Sequence, residues 1–559
     1  MKVFIKKITL NNGVIVELQE DDIVVFVGPN NVGKSQALSD ISELSNSNKN
    51  GNYRGLLIRG IEVGFDKTQN IEDLAISEGW AYKDRNGNLF INGDFCINSS
   101  ISEQIDENGL GLLSSVLIHH SHAGDVNSAY DASNSGFDGE KNHPILFLAN
   151  NKELREKASK GFRRAYGKDL LPHRLAGASI PLCIGNEDDL NASSTGKAGN
   201  DALDSIKEYY DSLPRISQQS DGIKSFVSTL LNLVLKHKQI YLFDEPETFL
   251  HPPQIQTLGQ IICQYLNGRQ AFIATHSQDL IKGLLEADPQ KIKIIRITRH
   301  ENTNQFQILD NSEIKKLWKD SLLKHSDILN GLFFNDTIVC ESDADCKMYS
   351  VILGDIKSEQ NEYLQALFVP SNGKQRIPKI VKPFHAMGIH IIGVFDIDLL
   401  KDKDDLKRAI EAFGGEWNSV EKYYRILISQ LNQNTTHISR STFRSDILEI
   451  LDGSTKKDLS IEEVKLIKSK LDIASKWGNI KNSGKSAIPP GDATNAFNKI
   501  NEYLKKLDIY IVEVGELECY NKNCGKHGPE WVAEVLERYP DHKSEEYKSI
   551  REFVGGWNV

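Results

Sequence analysis

The sequence predicts an α/β chain made of two sheet-based units, and three observations carry that prediction. Short apolar runs bounded by turn residues recur along the chain. From Phe226 to Arg296 these runs alternate with helix-periodic stretches, the pattern of a parallel sheet with helices on its faces. After about residue 326 the same alternation starts again.

Taken in order, VFIKKITL and VIVELQ alternate as strands about the turn Asn11-Asn12-Gly13, and Ile23–Val27 reads as a buried strand. Residues 46 to about 215, rich in Asn, Ser, Gly and Asp, read as a variable insertion with several loops. IYLF at 240–243, AFIA at 271–274 and IKIIRI at 292–297 supply further strands of a first domain, residues 1–325. A helical stretch near Ser312 to Leu329 leads into a second domain, residues 326–559, with strands at Thr337–Cys340, Leu367–Val369, Ile389–Phe395 and Ile509–Val512. A helical insertion at about 400–507 interrupts it, including Asp404–Phe413 and Glu462–Leu471.

Composition bounds the function. At 559 residues the chain exceeds one core, at roughly 150 residues per domain. With 39% apolar and 26% charged residues, and no apolar run of the roughly 20 residues a membrane span needs, it reads as soluble and cytoplasmic. The amino terminus MKVFIKKITLNN lacks the apolar core of a secretion signal. Seven scattered cysteines argue against a disulfide framework. A net charge of -11 excludes a uniformly basic surface, so nucleic-acid contact must come from local patches or bridging metal ions. The densest basic stretch, Lys152 to Arg174, interleaves Phe162 and Tyr166; it suits phosphate contact with base stacking, or equally a solvated helix face.

Gly28-Pro29-Asn30-Asn31-Val32-Gly33-Lys34-Ser35 follows a buried strand and opens a helix, the context of a phosphate-cradling loop. Gly28, Asn30, Asn31, Gly33, Lys34, Ser35 and Gln36 are its candidate nucleotide-binding residues, with Lys34 reaching the terminal phosphates and Ser35 holding Mg²⁺. The strand Ile240–Phe243 ends in Asp244-Glu245, placing one carboxylate to hold Mg²⁺ and another to activate the attacking water. The next strand ends in Thr275-His276-Ser277, where His276 can sense a terminal phosphate. These elements, in this order, resemble the ABC-type ATPase family over residues 1 to about 300. The resemblance implies ATP as cofactor, a degenerate signature segment at Ser220 to Ser225 in which Ser220 and Gly222 contact nucleotide on a second subunit, a D-loop at Glu247–His251, and hence a homodimer or higher oligomer. The family's Q-loop glutamine has no clear counterpart.

In the second domain a strand delivers Glu341, the following helix Asp345, and the run Ile391–Phe395 leads into Asp396-Ile397-Asp398. Carboxylates spaced by one residue emerge on the same side of an extended chain, and such hard oxygen ligands suit Mg²⁺ or Mn²⁺. Glutamate followed by Asp-x-Asp, each at a strand end, resembles the TOPRIM fold of topoisomerases, primases and certain nucleases; Ser342 stands where that family commonly has glycine. An ABC ATPase joined to a TOPRIM domain resembles the OLD (overcoming lysogenization defect) family of ATP-binding nucleases from phage-exclusion systems. That resemblance implies a metal-dependent DNA endonuclease or nickase in which Glu341, Asp396, Asp398 and Lys526 are catalytic for cutting beside Glu245 and His276 for ATP hydrolysis, and in which Glu341, Asp345, Asp396, Asp398, Glu516 and Glu518 are metal ligands beside Ser35 and Asp244 at the nucleotide. Glu516 and Glu518 read equally as helix-start acids, and Lys526 as a surface lysine. The implied partners are DNA and either a helicase-like protein or a reverse transcriptase with its RNA-DNA product. Two other functions compete: an ATP-dependent nucleic-acid clamp without nuclease activity, and an SMC-like structural ATPase, disfavoured because no heptad arms separate Lys34 from Asp244. Cys519 and Cys524 with His527, and His119-His120-Ser121-His122, lack a closed set of zinc ligands. The segment Lys481 to Gly491 reads as a loop.

Overall fold

The computed structural model describes residues 3–46, 53–64, 73, 76, 81–84, 87–91, 95–97, 109–122, 131–133, 144–177, 179–235, 238–300, 303–309, 327–433, 439–453, 458–461, 463–464, 466–467 and 476–559. The chain divides into two compact units, Met1–Phe333 and Phe334–Val559.

The first unit is built on a six-stranded sheet. Its strands are β1 (Ile23–Val27), β2 (Ile118–Ser121), β3 (Ile240–Asp244), β4 (Gln270–Ala274), β5 (Ile292–His300) and β6 (Thr303–Leu309), in the order β6-β5-β1-β4-β3-β2. All neighbours are parallel except β5 with β6. Strands β1, β3 and β4 are buried along their whole length, which is why they are continuous apolar runs and not alternating ones. Parallel order brings the ends of β1, β3 and β4 to one edge. The helix Lys34–Asn46 leaves that edge and buries Ala37, Leu38, Ile41 and Leu44, one face of a helical repeat.

The stretch expected as an insertion is partly ATPase framework. Ile58–Gly64 pairs with the strand Phe4–Leu10 of the first hairpin, and β2 closes the edge of the main sheet beside β3. The polar flanks of these strands hid them in the composition. The basic helix Lys152–Tyr166 also departs from one reading: Phe162 is fully buried, stacked on Tyr166 and edge-on to Phe226, so it cannot receive a base.

The second unit is a four-stranded parallel sheet of β7 (Asp336–Cys340), β8 (Ala366–Pro370), β9 (His390–Asp396) and β10 (Ile509–Val512), in the order β8-β7-β9-β10. Between β9 and β10 lie helices at Lys403–Ala412, Asn418–Gln433, Arg440–Asp452, Lys476–Ser483 and Asp492–Lys505. The core gathers Tyr349, Trp531 and Tyr547 around Ile338, Ile392 and Val512. The helices expected at Ser312–Leu329 and Glu462–Leu471 lie mostly outside the described residues; Asp327–Phe333 is a 3₁₀ helix. The expected loop at Lys481–Gly491 instead begins as helix end and continues as a 3₁₀ turn, Gly484–Ala487. Among the described residues no helix is long and apolar enough to cross a membrane.

Candidate functional site

Each unit places a polar cluster at the carboxyl ends of its parallel strands, the position where open α/β sheets bind ligands. In the first unit the loop after β1 requires glycine twice. Gly28 has φ 145°, and a Cβ there would stand 2.0 Å from the Ile297 carbonyl oxygen. Gly33 has φ 98°, and its Cβ would meet Leu57 Cδ1 at 2.6 Å. Asn31 takes a left-handed φ of 63°, which asparagine tolerates best among residues with a side chain. Asn30 and Asn31 are exposed at the loop tip.

Lys34 Nζ donates to the carbonyls of Gly28 (2.9 Å) and Pro29 (2.8 Å), folding the loop over its own lysine. Burial lowers its pKa to about 8, against the pull of Glu245, Asp244 and Glu247. Ser35 Oγ donates to Asp244 Oδ1 at 2.8 Å. Burial raises Asp244, while Ser35, His122 and Lys34 oppose the rise. A hydroxyl joined to a carboxylate below a phosphate cradle is a donor set that fits Mg²⁺ with a nucleotide. Gln36 is directed elsewhere: its amide donates to Asp40 at 2.8 Å, because a fully buried carboxylate one turn on is the stronger acceptor.

Glu245 sits at φ 46° and its Oε1 lies 3.1 Å from His276 Nε2. Burial, then Lys34, lowers His276 to about 4, so this is a contact with a neutral imidazole and not an ion pair near neutral pH. Glu247, which the sequence places only at the start of the D-loop, is partly buried; its Oε1 accepts from Thr275 Oγ1 (2.5 Å) and the His276 N–H (3.0 Å). It ties the turn after β3 to the turn after β4 and so fixes the histidine. Gly222 in the helix Asp221–Leu235 packs under the same turn, since a Cβ there would stand 2.4 Å from the Phe249 carbonyl oxygen. Ser220 sits just before that helix, its carbonyl accepting from Lys224 N–H at 3.2 Å. His122 follows Ser121, the partner of Phe243 in register, which explains its influence on Asp244.

In the second unit Glu341, Asp345, Asp396, Glu516 and Glu518 line a cleft of about 380 Å³. Glu341 follows β7, and its Oε1 accepts from the Asp396 N–H at the end of β9 (3.0 Å). Burial first, then Asp398 and Asp345, push Glu341 up to about 7. Asp396 is raised by burial and Glu341, and Asp345 by burial. Asp345 exchanges hydrogen bonds with Ser342 in a capping box, which holds one of its oxygens at the helix start. Glu518 Oε1 accepts from the Gly528 N–H at 2.7 Å, while Lys526 lies exposed in the preceding loop.

Asp398 stays close enough to raise both Glu341 and Asp396, but the extended-chain argument that paired it with Asp396 does not hold. The strand ends at Asp396 and the chain turns into a 3₁₀ helix, Ile397–Lys401, so the spacing rule for extended chain no longer applies. Asp398 instead accepts from Lys374 Nζ at 2.7 Å. Two lysines thus enter the acidic cluster: Lys374 after β8, and Lys481, whose Nζ is 3.0 Å from Glu516 Oε2. Lys481 is distant in sequence from every acid it meets, and the sequence marked it only as the start of a loop. The donors are all carboxylate oxygens, and burial with the neighbouring acids holds Glu341, Asp345 and Asp396 above their ordinary range, a set that a hard divalent cation stabilises as anions. Among the described residues, however, no group of three His, Cys, Asp or Glu is already arranged to hold a metal ion.

Residues 23–282 match the family described as "AAA domain, putative AbiEii toxin, Type IV TA system". The first unit carries an ATP-binding ATPase domain. Solved structures overlap the chain at low similarity. They include an SmcHead bound to the C-winged helix domain of ScpA (16% identity, TM-score 0.31, covering 56% of this chain and 99% of that one). The SMC head domain from Thermotoga maritima gives 12%, 0.29, 55% and 98%, and cbiO1 from Clostridium perfringens 14%, 0.25, 53% and 84%. Scores of this size do not define a fold; the strand order and loop geometry do. No curated protein matches the chain.

Proposed function

We propose that the protein is an ATP-gated, metal-dependent DNA endonuclease or nickase of the OLD type, acting in antiphage defence. The observation that carries the reading is the acidic cleft at the carboxyl edge of the second sheet, where Glu341 and Asp396 meet through a hydrogen bond with Asp345, Glu516 and Glu518 on the same walls. Bound divalent ions would polarise the scissile phosphate and supply a hydroxide at neutral pH. Glu341, Asp396, Asp345 and Glu516 are the residues to hold them. The chain's own groups do the rest: Glu518 keeps the loop at Gly528 against the cleft, and Lys526 on that loop faces solvent where a DNA phosphate would arrive. In the first unit Lys34 binds the terminal phosphates, Ser35 and Asp244 hold Mg²⁺, Glu245 takes the proton of the attacking water, and neutral His276 orients Glu245. Dimerisation around ATP, through Ser220 and Gly222, would link nucleotide state to cutting.

Replacing Asp396 by Ala and following a supercoiled plasmid with Mn²⁺ tests the assignment: cleavage should fall at least about 100-fold, and undiminished cutting would sink it. One observation favours a second reading, that the protein clamps nucleic acid while a helicase-like partner or a reverse transcriptase with its RNA-DNA product completes the effector. Lysines occupy Asp398 and Glu516, and the carboxylates are not preset for metal. Wild-type protein that binds ATP and DNA but leaves DNA intact, with or without its genomic neighbours, would support it.

A further inference from the structure

The segment carrying Lys481 is fastened to the cleft by its backbone. Gly484 has φ 61°, and a Cβ there would stand 2.2 Å from the Glu513 carbonyl oxygen. Gly515 has φ 125°, and its Cβ would stand 1.9 Å from the Lys481 carbonyl oxygen. Lys485 N–H donates to Glu513 O at 2.8 Å, Cys519 Sγ donates to the carbonyls of Lys481 (3.6 Å) and Asn482 (3.4 Å), and Lys522 Nζ donates to Asn482 O at 2.8 Å. Chain approaches this close, with glycine at both contact points, leave the helix end no freedom to slide. The clasp therefore delivers one ammonium group to Glu516 and sets it near Asp396 and Asp398, whose charges, with that of Glu516, raise the lysine above its ordinary range against the cost of burial. Lys374 performs the matching service for Asp398.

We propose that Lys481 is a resident counter-ion of the cleft, which a divalent cation must displace from Glu516, so that this lysine sets the metal concentration at which the site loads. The inference rests on the reading of the cleft as a metal site. A carboxylate cannot keep a full ion pair with an ammonium group and also serve a divalent ion without a loss of attraction to one of them. Lys481 is thus a positioning residue: it acts through Glu516, and its backbone attachment makes the competition a fixed property of the fold.

The test is a titration of the full chain with Mn²⁺ alone, in an Asp244→Asn background that removes the carboxylate beside Ser35. Lys481→Met should bind Mn²⁺ roughly tenfold more tightly than the parent, by loss of one positive charge at contact distance. Lys481→Arg should stay near the parent. The thermal shift on adding Mn²⁺ should follow the same order, and Lys481→Gln provides a second neutral variant should the methionine protein fold poorly. Unchanged or weaker binding in the neutral variants overturns the proposal. So does equal tightening by Arg, which would make shape and not charge the cause. DNA cleavage enters none of these comparisons. Its absence in the wild type therefore counts against the nuclease reading alone, while loss of saturable binding in Asp396→Asn checks that the titrated ion is in this cleft.

Discussion

Asp40 shows how much of the first site rests on a residue with no chemical part in it. Its buried carboxylate accepts from Gln36 Nε2, Tyr53 Oη, and the N–H groups of Leu57 and Ile58, so it joins the helix after the phosphate loop to the strand Ile58–Gly64. Alanine there would strand two backbone donors, and we expect a loss of about 3 kcal/mol in urea unfolding; a loss under about 1 kcal/mol would contradict this account of the residue. Gly28→Ala should abolish ATP binding measured by fluorescent-nucleotide titration, since its Cβ would collide with the Ile297 carbonyl; binding within about twofold of wild type would show the loop can yield. At this scale the sequence was legible where chemistry and local geometry coincide. Lys34, Ser35 and Asp244 meet because strand ends put them there. Gln36 donates to a buried acceptor and Asp398 lies in a 3₁₀ turn, and neither partner nor turn is local enough to read from the sequence. Glu247 was marked only as the start of the D-loop and Lys481 only as the start of a loop, since each acts on partners that only folding brings near.

At the scale of elements, the buried strands announced themselves as apolar runs, while short edge strands with polar flanks did not: Ile118–Ser121 holds three residues of a histidine-rich stretch and still completes the main sheet. One element-level feature far from the cleft has a pH signature. His390, at the start of β9, places Nδ1 2.7 Å from Asp336 Oδ1 at the start of β7 and Nε2 3.1 Å from Asp508 Oδ2 just before β10, stapling three strand beginnings. The Asp336 hydrogen bond first, with Asp508 and against burial, raises its pKa; His385 stands near His390 itself and Asp508. A histidine raised on folding stabilises fully below its unfolded value of about 6.5 and loses that contribution as pH rises through the folded value. Chemical denaturation should therefore show a stability decline on the alkaline side of that value, one that His390→Asn removes. An identical decline in the variant would assign it to other groups.

At the scale of the molecule, the two units divide the labour in the proposed account: the first binds and hydrolyses ATP, and the second cuts. The restart of the strand pattern near residue 326 made a second sheet legible, and the structure separates its units after Phe333. The division of labour predicts separable losses. Glu245→Gln should lower steady-state ATP turnover by about 100-fold while leaving Mn²⁺ binding in the second unit intact, since the general base acts only on the nucleotide. A parallel loss of Mn²⁺ binding would mean that the units do not act as distinct centres. The most direct measurement is plasmid cleavage by wild type and Glu341→Gln side by side, with ATP turnover recorded on the same samples. The account predicts that the wild type nicks or linearises DNA with Mn²⁺, and that Glu341→Gln loses this activity while hydrolysing ATP at the wild-type rate. Equal cleavage by the two proteins, or none by the wild type, would contradict it.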